Sequence, residues 1–355
     1  MRNGRSLMDL ATELERQLDS KKDLIVPSQL LTHVTTEEGQ IKLQVTMPDG
    51  QSTYGVTELA RRQLADKLKI PYAYFERMRE EQPGLLDRNV NVWLKSEDEE
   101  RRMVRTLDGN VRALLSDRYR RLDNYDLMKS ILPIIKQLPN PRFESMELTE
   151  TRMYLKIVVP GLRFDVQEGD TLQAGIVITN SEVGHGTLSV QPLLYRVVCR
   201  NGLIVQDRAL RKTHVGRVLS ADDDGLQVYQ DDTLKAEDDA FYLKVRDVVQ
   251  ATVSDTVFRK SALQMQKTMG IALKGDPVRT VEILANRHDM NETERVGVLR
   301  HLIAEADLTG YGLINAVTHY SQEVQNYDRA TEFEALGGKL IAQSDNDWKL
   351  LAEAA

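Results

Sequence analysis

The feature that constrains this chain most is a change of hydrophobic period past its middle. Between the punctuation "PNPR" at 139–142 and an acidic tract at 220–239, apolar residues fall in short β-prone runs, the pattern of strands. After Asp239 the apolar spacing lengthens to that of amphipathic helices. A chain that keeps its strands apart from its helices builds an α+β fold, here with an antiparallel, hairpin-rich centre and an all-helical C-terminal third. The expected strands are 144–150, 152–159, 172–179, 186–191 and 193–199. One long helix is expected from Asp239 to near Gly275. Asp276-Pro277 then supplies an N-cap and first-turn proline, and Asn291 with Glu294 a capping box. Helices around 309–324 and 330–343 complete the chain.

The N-terminal half is mixed. Leu7, Leu10, Leu14 and Leu18 give residues 5–20 one apolar stripe, and short strands are expected near 31–36 and 41–46, ending at Pro48-Asp49-Gly50. Thr57 should cap a helix, Pro71 should open another with Tyr72, Phe75 and Met78 on one face, and Asp108-Gly109 should close a tight hairpin. Asp123 should cap a helix kinked at Pro133. The expected division is an α+β region over 1–140, a β-rich region over 141–219, an acidic loop or linker over 220–239 and a helical region over 240–355.

Hydrophobic content of 41% with 28% charged residues fits a globular protein. No apolar run approaches the roughly 20 residues of a membrane span, so no membrane association is expected. The single cysteine, Cys199, excludes an internal disulfide and points to a reducing cytoplasm. Val197 and Val198 beside it suggest a buried, inert thiol.

A formal net charge of -7 excludes a uniformly basic coat, but the charge is unevenly placed. Arg101, Arg102, Arg105, Arg112, Arg118, Arg120 and Arg121 crowd one stretch. Arg196, Arg200, Arg208, Arg211, Lys212 and Arg217 crowd another, while acids gather at Asp222–Asp224 and Asp231–Asp239. In a strand through 194–200, Arg196 and Arg200 would share a face and form a row suited to phosphates. Asn180, Gly184, His185 and Gly186 would form a backbone cradle at the adjoining tip, unless they simply make a turn. Tyr119 and Tyr195 are candidate stacking platforms.

Enzyme signatures are lacking: there is no phosphate loop of the G-x-x-x-x-G-K-[ST] kind and no G-x-S-x-G elbow. The histidines at 33, 185, 214, 288, 301 and 319 show no zinc-ligand spacing, so neither a metal nor a cofactor is expected. A nuclease built on Glu144 or Glu147 with Lys156 has no supporting spacing. Asn315 and His319, beside the apolar stripe of 313–320, suggest a buried amide or a contact between subunits.

The segments "ELARRQLADKLKIPYAYFERM" (58–78), "RALLSDRYRRLDNYDLM" (112–128), "SVQPLLYRVVCRNGLI" (189–204) and "YGLINAVTHYSQ" (311–322) resemble the landmarks of the phage/plasmid-like proteins of domain-of-unknown-function family 932. The resemblance implies a mobile-element protein made in a bacterial cytoplasm, and it brings no catalytic residues with it. By architecture alone the chain is also similar to single-strand annealing proteins of the RecT and Red-beta class. The expectation is a non-enzymatic homo-oligomer that binds single-stranded DNA in a groove. Arg112, Arg118, Arg120, Arg121, Arg196, Arg200, Arg208, Arg211 and Lys212 would line that groove. The rivals are a protein-interaction factor docking through its helical third and a metal-dependent nuclease.

Overall fold

The computed structural model describes every residue except 49, 97–99, 118, 120, 206–230 and 355, and of 231–239 it describes the backbone only. The fold is α+β. It divides into two compact units, the larger made of Met1–Leu10, Asp126–Asn180 and Thr187–Ala355, the smaller of Ala11–Tyr125 and Ser181–Gly186. The β-rich centre and the helical third thus fold as parts of one unit. The six residues Ser181–Gly186, between two strands of the larger unit, count with the other. In α1 (Leu7–Ser20) the expected stripe is present, with Leu10 and Leu14 buried.

The smaller unit is built on a six-stranded sheet. Its order is β1 (Lys22–Pro27), β5 (Arg101–Leu107), β6 (Asn110–Ser116), β4 (Gly50–Val56), β3 (Ile41–Met47) and β2 (Leu31–Thr35). All pairings are antiparallel except β4 with β6. Asp108 and Gly109 join β5 to β6 with φ of 50° and 74°, the left-handed pair that a tight hairpin requires. Helices α2 (Glu58–Lys67), α3 (Tyr72–Glu81) and α4 (Pro83–Ser96) bury Leu64, Phe75, Met78, Leu86, Val90 and Leu94 with the sheet's Leu43, Val45 and Val104. The Thr57 hydroxyl accepts the Ala60 N–H and so starts α2 as expected.

The larger unit holds a five-stranded antiparallel meander: β7 (Arg142–Leu148), β8 (Met153–Gln167), β9 (Asp170–Asn180), β10 (Ser189–Arg196) and β11 (Asn201–Ile204). Two expectations fail here. The strands at 186–191 and 193–199 are one strand, β10, running through Pro192. An antiparallel residue bonds mainly to one neighbour, and the Pro192 carbonyl still accepts from the Val205 N–H at 2.9 Å. The chain then turns at 197–200, where strand was expected.

α5 (Asn124–Ile135) contains Pro133. The single long helix after Asp239 is two, α6 (Asp231–Thr252) and α7 (Asp255–Lys267). The break is Ser254, extended at φ -67° and ψ 143°, whose side chain caps α7 by accepting from the Val257 N–H. Of the acidic tract, 231–239 is helix rather than loop, and 220–230 lies outside the described residues. α8 (Pro277–Arg287) and α9 (Glu292–Glu305) start on the predicted Asp276-Pro277 cap and Asn291/Glu294 capping box. α10 (Gly310–Tyr320), α11 (Tyr327–Ile341) and α12 (Asp345–Ala352) follow. The helices and one sheet face bury a common core that includes Leu172, Leu194, Leu203, Phe258, Val281, Leu302, Tyr311 and Phe333. Each fully buried side chain of this size contributes ~1.5–3 kcal/mol. No described helix is long and apolar enough to cross a membrane.

α11 meets β11 at Gly337 and Gly338. A Cβ on Gly338 would lie 1.8 Å from the Ile204 carbonyl oxygen, which is backbone and cannot yield. Gly338→Ala should therefore lower the unfolding free energy by about 1–3 kcal/mol, and with it the denaturation midpoint. Gly84→Ala in α4, where a Cβ meets nothing within 4 Å, should be neutral or stabilise by roughly 0.5–1 kcal/mol. Equal effects in urea melts of the two variants would contradict this packing.

Candidate anion-binding sites

In the smaller unit most of the described arginines expected to meet phosphate already hold carboxylates. Arg105 is fully buried on β5. It donates to Asp23 at 2.9 and 3.0 Å, to Asp123 at 2.6 Å and to the Glu182 carbonyl at 2.7 Å. Arg112, also buried, lies 2.7 Å from the Glu182 carboxylate. The other Glu182 oxygen accepts the Asn124 N–H at 2.6 Å, at the start of α5. Burial alone would raise the Asp123 pKa, but Arg105 and Lys21 outweigh it and hold the group below the usual carboxylate range. Asp123, which directly precedes α5, is also an ion-pair partner.

The Tyr119 hydroxyl donates to the Ser181 carbonyl at 2.9 Å, so it is tied into this unit and offers no free stacking surface. Arg121 is exposed, 3.6 Å from Asp23. Arg118, Arg120, Arg208, Arg211 and Lys212 lie outside the described residues. The loop of the expected cradle is buried in its first half and exposed in its second. Ser181, Glu182 and Val183 are buried, and a side chain on Gly184 (φ 74°) would collide with Leu115 at 2.5 Å. Asn180, at the end of β9, is buried as well, while Gly184, His185 and Gly186 are exposed.

The larger unit repeats the pattern. Arg196 binds Asp170 in a two-pronged pair at 2.8 Å, and the Tyr311 hydroxyl donates to the same carboxylate at 2.7 Å. Burial would raise the Asp170 pKa, yet Arg196 and Tyr311 hold it below the usual range. Because the chain turns after Arg196, Arg200 does not continue its row. Arg200 is exposed at φ 52° and forms no ion pair among the described residues. Tyr195 is buried and donates to Glu144 at 2.8 Å, so it is no stacking platform either. Arg142, half exposed, lies 5.5 Å over the Tyr195 ring and pairs with Glu144. The lysine of the nuclease rival is sealed: Lys156 Nζ lies 2.7 Å from Glu334 and donates to Thr331 at 3.0 Å, all fully buried or nearly so. Glu147 pairs with Arg5 at 2.7 Å.

A basic site that sequence reasoning missed lies between the end of α8 and the face of α11. A cleft of about 360 Å³ is lined by Arg287, His288, Arg329 and Lys339 against Asp289 and Glu332, with Met290, Phe333 and Leu336 as its apolar part. Arg329 is committed to Glu294 at 2.8 Å and Glu332 at 2.7 Å. Burial first, and then the charges of Lys339 and Arg287, press the His288 imidazole below the usual histidine range. Arg287 lies 3.7 Å from Asp347, so Lys339 is the lining cation with no ion pair among the described residues. No sequence motif marks the cleft, because His288 and Lys339 meet only through helix packing.

Residues 113–347 match the family model described as a domain of unknown function, DUF932, and the chain belongs to that family. No curated protein and no solved structure matches it.

The buried pairs give a test of their own. Glu334→Gln should cost about 3–5 kcal/mol by leaving Lys156 charged and uncompensated, whereas Lys156→Met with Glu334→Leu should be close to neutral. Equilibrium denaturation of the three chains measures the difference. The stability that Asp123 and Asp170 contribute is present above the unfolded carboxylate pKa of about 3.9 and is lost as pH falls through their lower folded values. Asp170→Asn should flatten that acid limb.

Proposed function

We propose that this DUF932 member binds single-stranded DNA non-covalently, with Arg287, His288 and Lys339 as phosphate contacts in the α8–α11 cleft. The observation that carries the reading is the gathering of Arg287, His288 and Lys339 around one cleft, where Lys339 forms no ion pair among the described residues. A phosphate entering the cleft would pair with Lys339 and compete with Asp347 for the Arg287 fork. Arg200 and Arg142, the exposed guanidinium groups about Tyr195, are secondary contacts. Arg112 and Arg196 hold the fold in this reading and do not touch the ligand. With a net charge of -7, attraction is local and therefore sensitive to salt. Strand annealing by a homo-oligomer is the wider role that the architectural analogy to RecT and Red-beta proteins suggests, and a phage, prophage or plasmid in a bacterial cytoplasm is the setting that the family resemblance suggests.

The protein-interaction reading also has an observation in its favour, though not in the helical third. The outer face of α4 exposes Leu85, Val92 and Trp93, the last about half exposed. Exposed tryptophan beside aliphatic residues is characteristic of protein contact surfaces.

A labelled oligonucleotide should be retained in gel shift at low salt and released as salt rises, without magnesium and without cleavage. Arg287→Ala with Lys339→Ala should reduce the slope of log K against log salt by about 1.4, at about 0.7 per phosphate contact on a single strand. In NMR titration the His288 pKa should rise on binding. Absence of retention at low salt would favour the interaction reading, and shortened product with magnesium the nuclease. An unchanged slope in the double variant would remove the cleft from the interface.

A further inference from the structure

We infer that Cys199, Glu305 and His319 form a binding site for a divalent transition-metal ion of the zinc class. The three come from separate elements of the larger unit: the turn between β10 and β11, the last residue of α9, and the end of α10. One donor atom from each lies within 4.8 Å of the other two. Around a tetrahedral zinc ion such donors stand roughly 3.4–3.6 Å apart, given metal bonds of about 2.0–2.3 Å. His319 Nδ1 and Glu305 Oε1 are already joined at 3.0 Å, so a cation taking the place of the shared proton needs only small side-chain movements.

The surroundings hold these groups in place. The Cys199 carbonyl accepts from the Gln322 side chain at 3.0 Å, which anchors the turn. Arg196 Nη1 donates to the Cys199 sulfur at 3.3 Å, and Arg196 is itself clamped by Asp170. A fixed donor at the sulfur is the kind of outer support that tunes a metal-bound thiolate. The His301 ring lies against His319 with centroids 4.4 Å apart, and His301 Nε2 is 2.8 Å from Glu323.

Charge and chemistry agree with this assignment. A thiolate, a carboxylate and a neutral imidazole balance a divalent ion, while Arg196 is held by Asp170 at 2.8 Å and lies further off, at 3.8 Å, from the second Glu305 oxygen. The sulfur and nitrogen donors favour zinc or cobalt over magnesium or calcium. Three protein ligands leave a fourth position for water, and all three residues are partly exposed, which leaves a path for the ion. Cys199 is thus not the buried, inert thiol expected from its sequence neighbours, since Val197 and Val198 are themselves exposed. Burial raises the Cys199 pKa, with Arg196 opposing, so metal uptake must displace the thiol proton.

Cobalt(II) titrated into the full chain tests the site. One equivalent should produce a near-ultraviolet cobalt–thiolate charge-transfer band with strong visible bands of a four-coordinate ion. Zinc should bleach both, magnesium should not, and binding should release protons. Cys199→Ser should abolish the charge-transfer band, while Glu305→Gln and His319→Gln should weaken binding by roughly tenfold or more. Circular dichroism checks that each variant is folded. Should Cys199→Ser not fold, alkylation of the native thiol replaces it and should also erase the band. Absence of a thiolate band at saturating cobalt, a band that survives loss of the thiol, or equal competition by magnesium would overturn the assignment.

Discussion

A guanidinium withdrawn from water has to take an anion with it: in the smaller unit Asp23 and Asp123 serve Arg105, and Glu182 serves Arg112. The Glu182 carboxylate faces Arg112 and receives the Asn124 N–H, while its backbone carbonyl receives Arg105. Around this point Asp23, Asp123 and Lys21 complete a closed set of charges beneath the hairpin β5–β6. Removing one member would strand the others in a medium where isolated charge is very costly. The ordered start of α5, the seating of the 181–186 loop and the tie from Tyr119 all depend on that balance.

The larger unit uses the same solution twice, in Arg196 with Asp170 and in Lys156 with Glu334. Clusters of arginine in the primary sequence are therefore a poor guide to surface field in this protein. Exposed cations with no ion pair among the described residues, such as Arg200, are not marked out by those clusters. Net charge sets the background, and local imbalance decides where an anion can settle.

Much of the scaffold was legible because it depends on short-range rules. Thr57, Ser254, Asp276 and Asn291 accept N–H groups a few residues away, and all but Ser254 were readable as caps. Asp108-Gly109 needed only the left-handed preference of a tight turn. Ser254 was hidden by apolar spacing that continues across it. β4 was hidden because most of its residues are exposed and show no alternation, and the join at Pro192 because proline reads as a break. The sites were less legible than the fold. Whether Arg112 or Arg196 faces solvent depends on which acid the fold brings beside it. Glu182 and Asp170 are distant in sequence from the arginines they neutralise. The same holds for Cys199 and His319, whose separation along the chain conceals a shared donor cluster.

The way the 181–186 loop belongs to the smaller unit while its flanking strands belong to the larger has a practical meaning for dissecting the protein. A fragment cut at the obvious boundary, residues 11–125, would carry Arg112 but not Glu182, the acid that neutralises it, while Arg105 would keep Asp23 and Asp123 and lose the Glu182 carbonyl. The two bodies are therefore not modules in the genetic sense. A recombination event or an expression vector that separates them cleanly in sequence leaves one of them chemically incomplete, so the pair is expected to be inherited, and best produced, as a single piece.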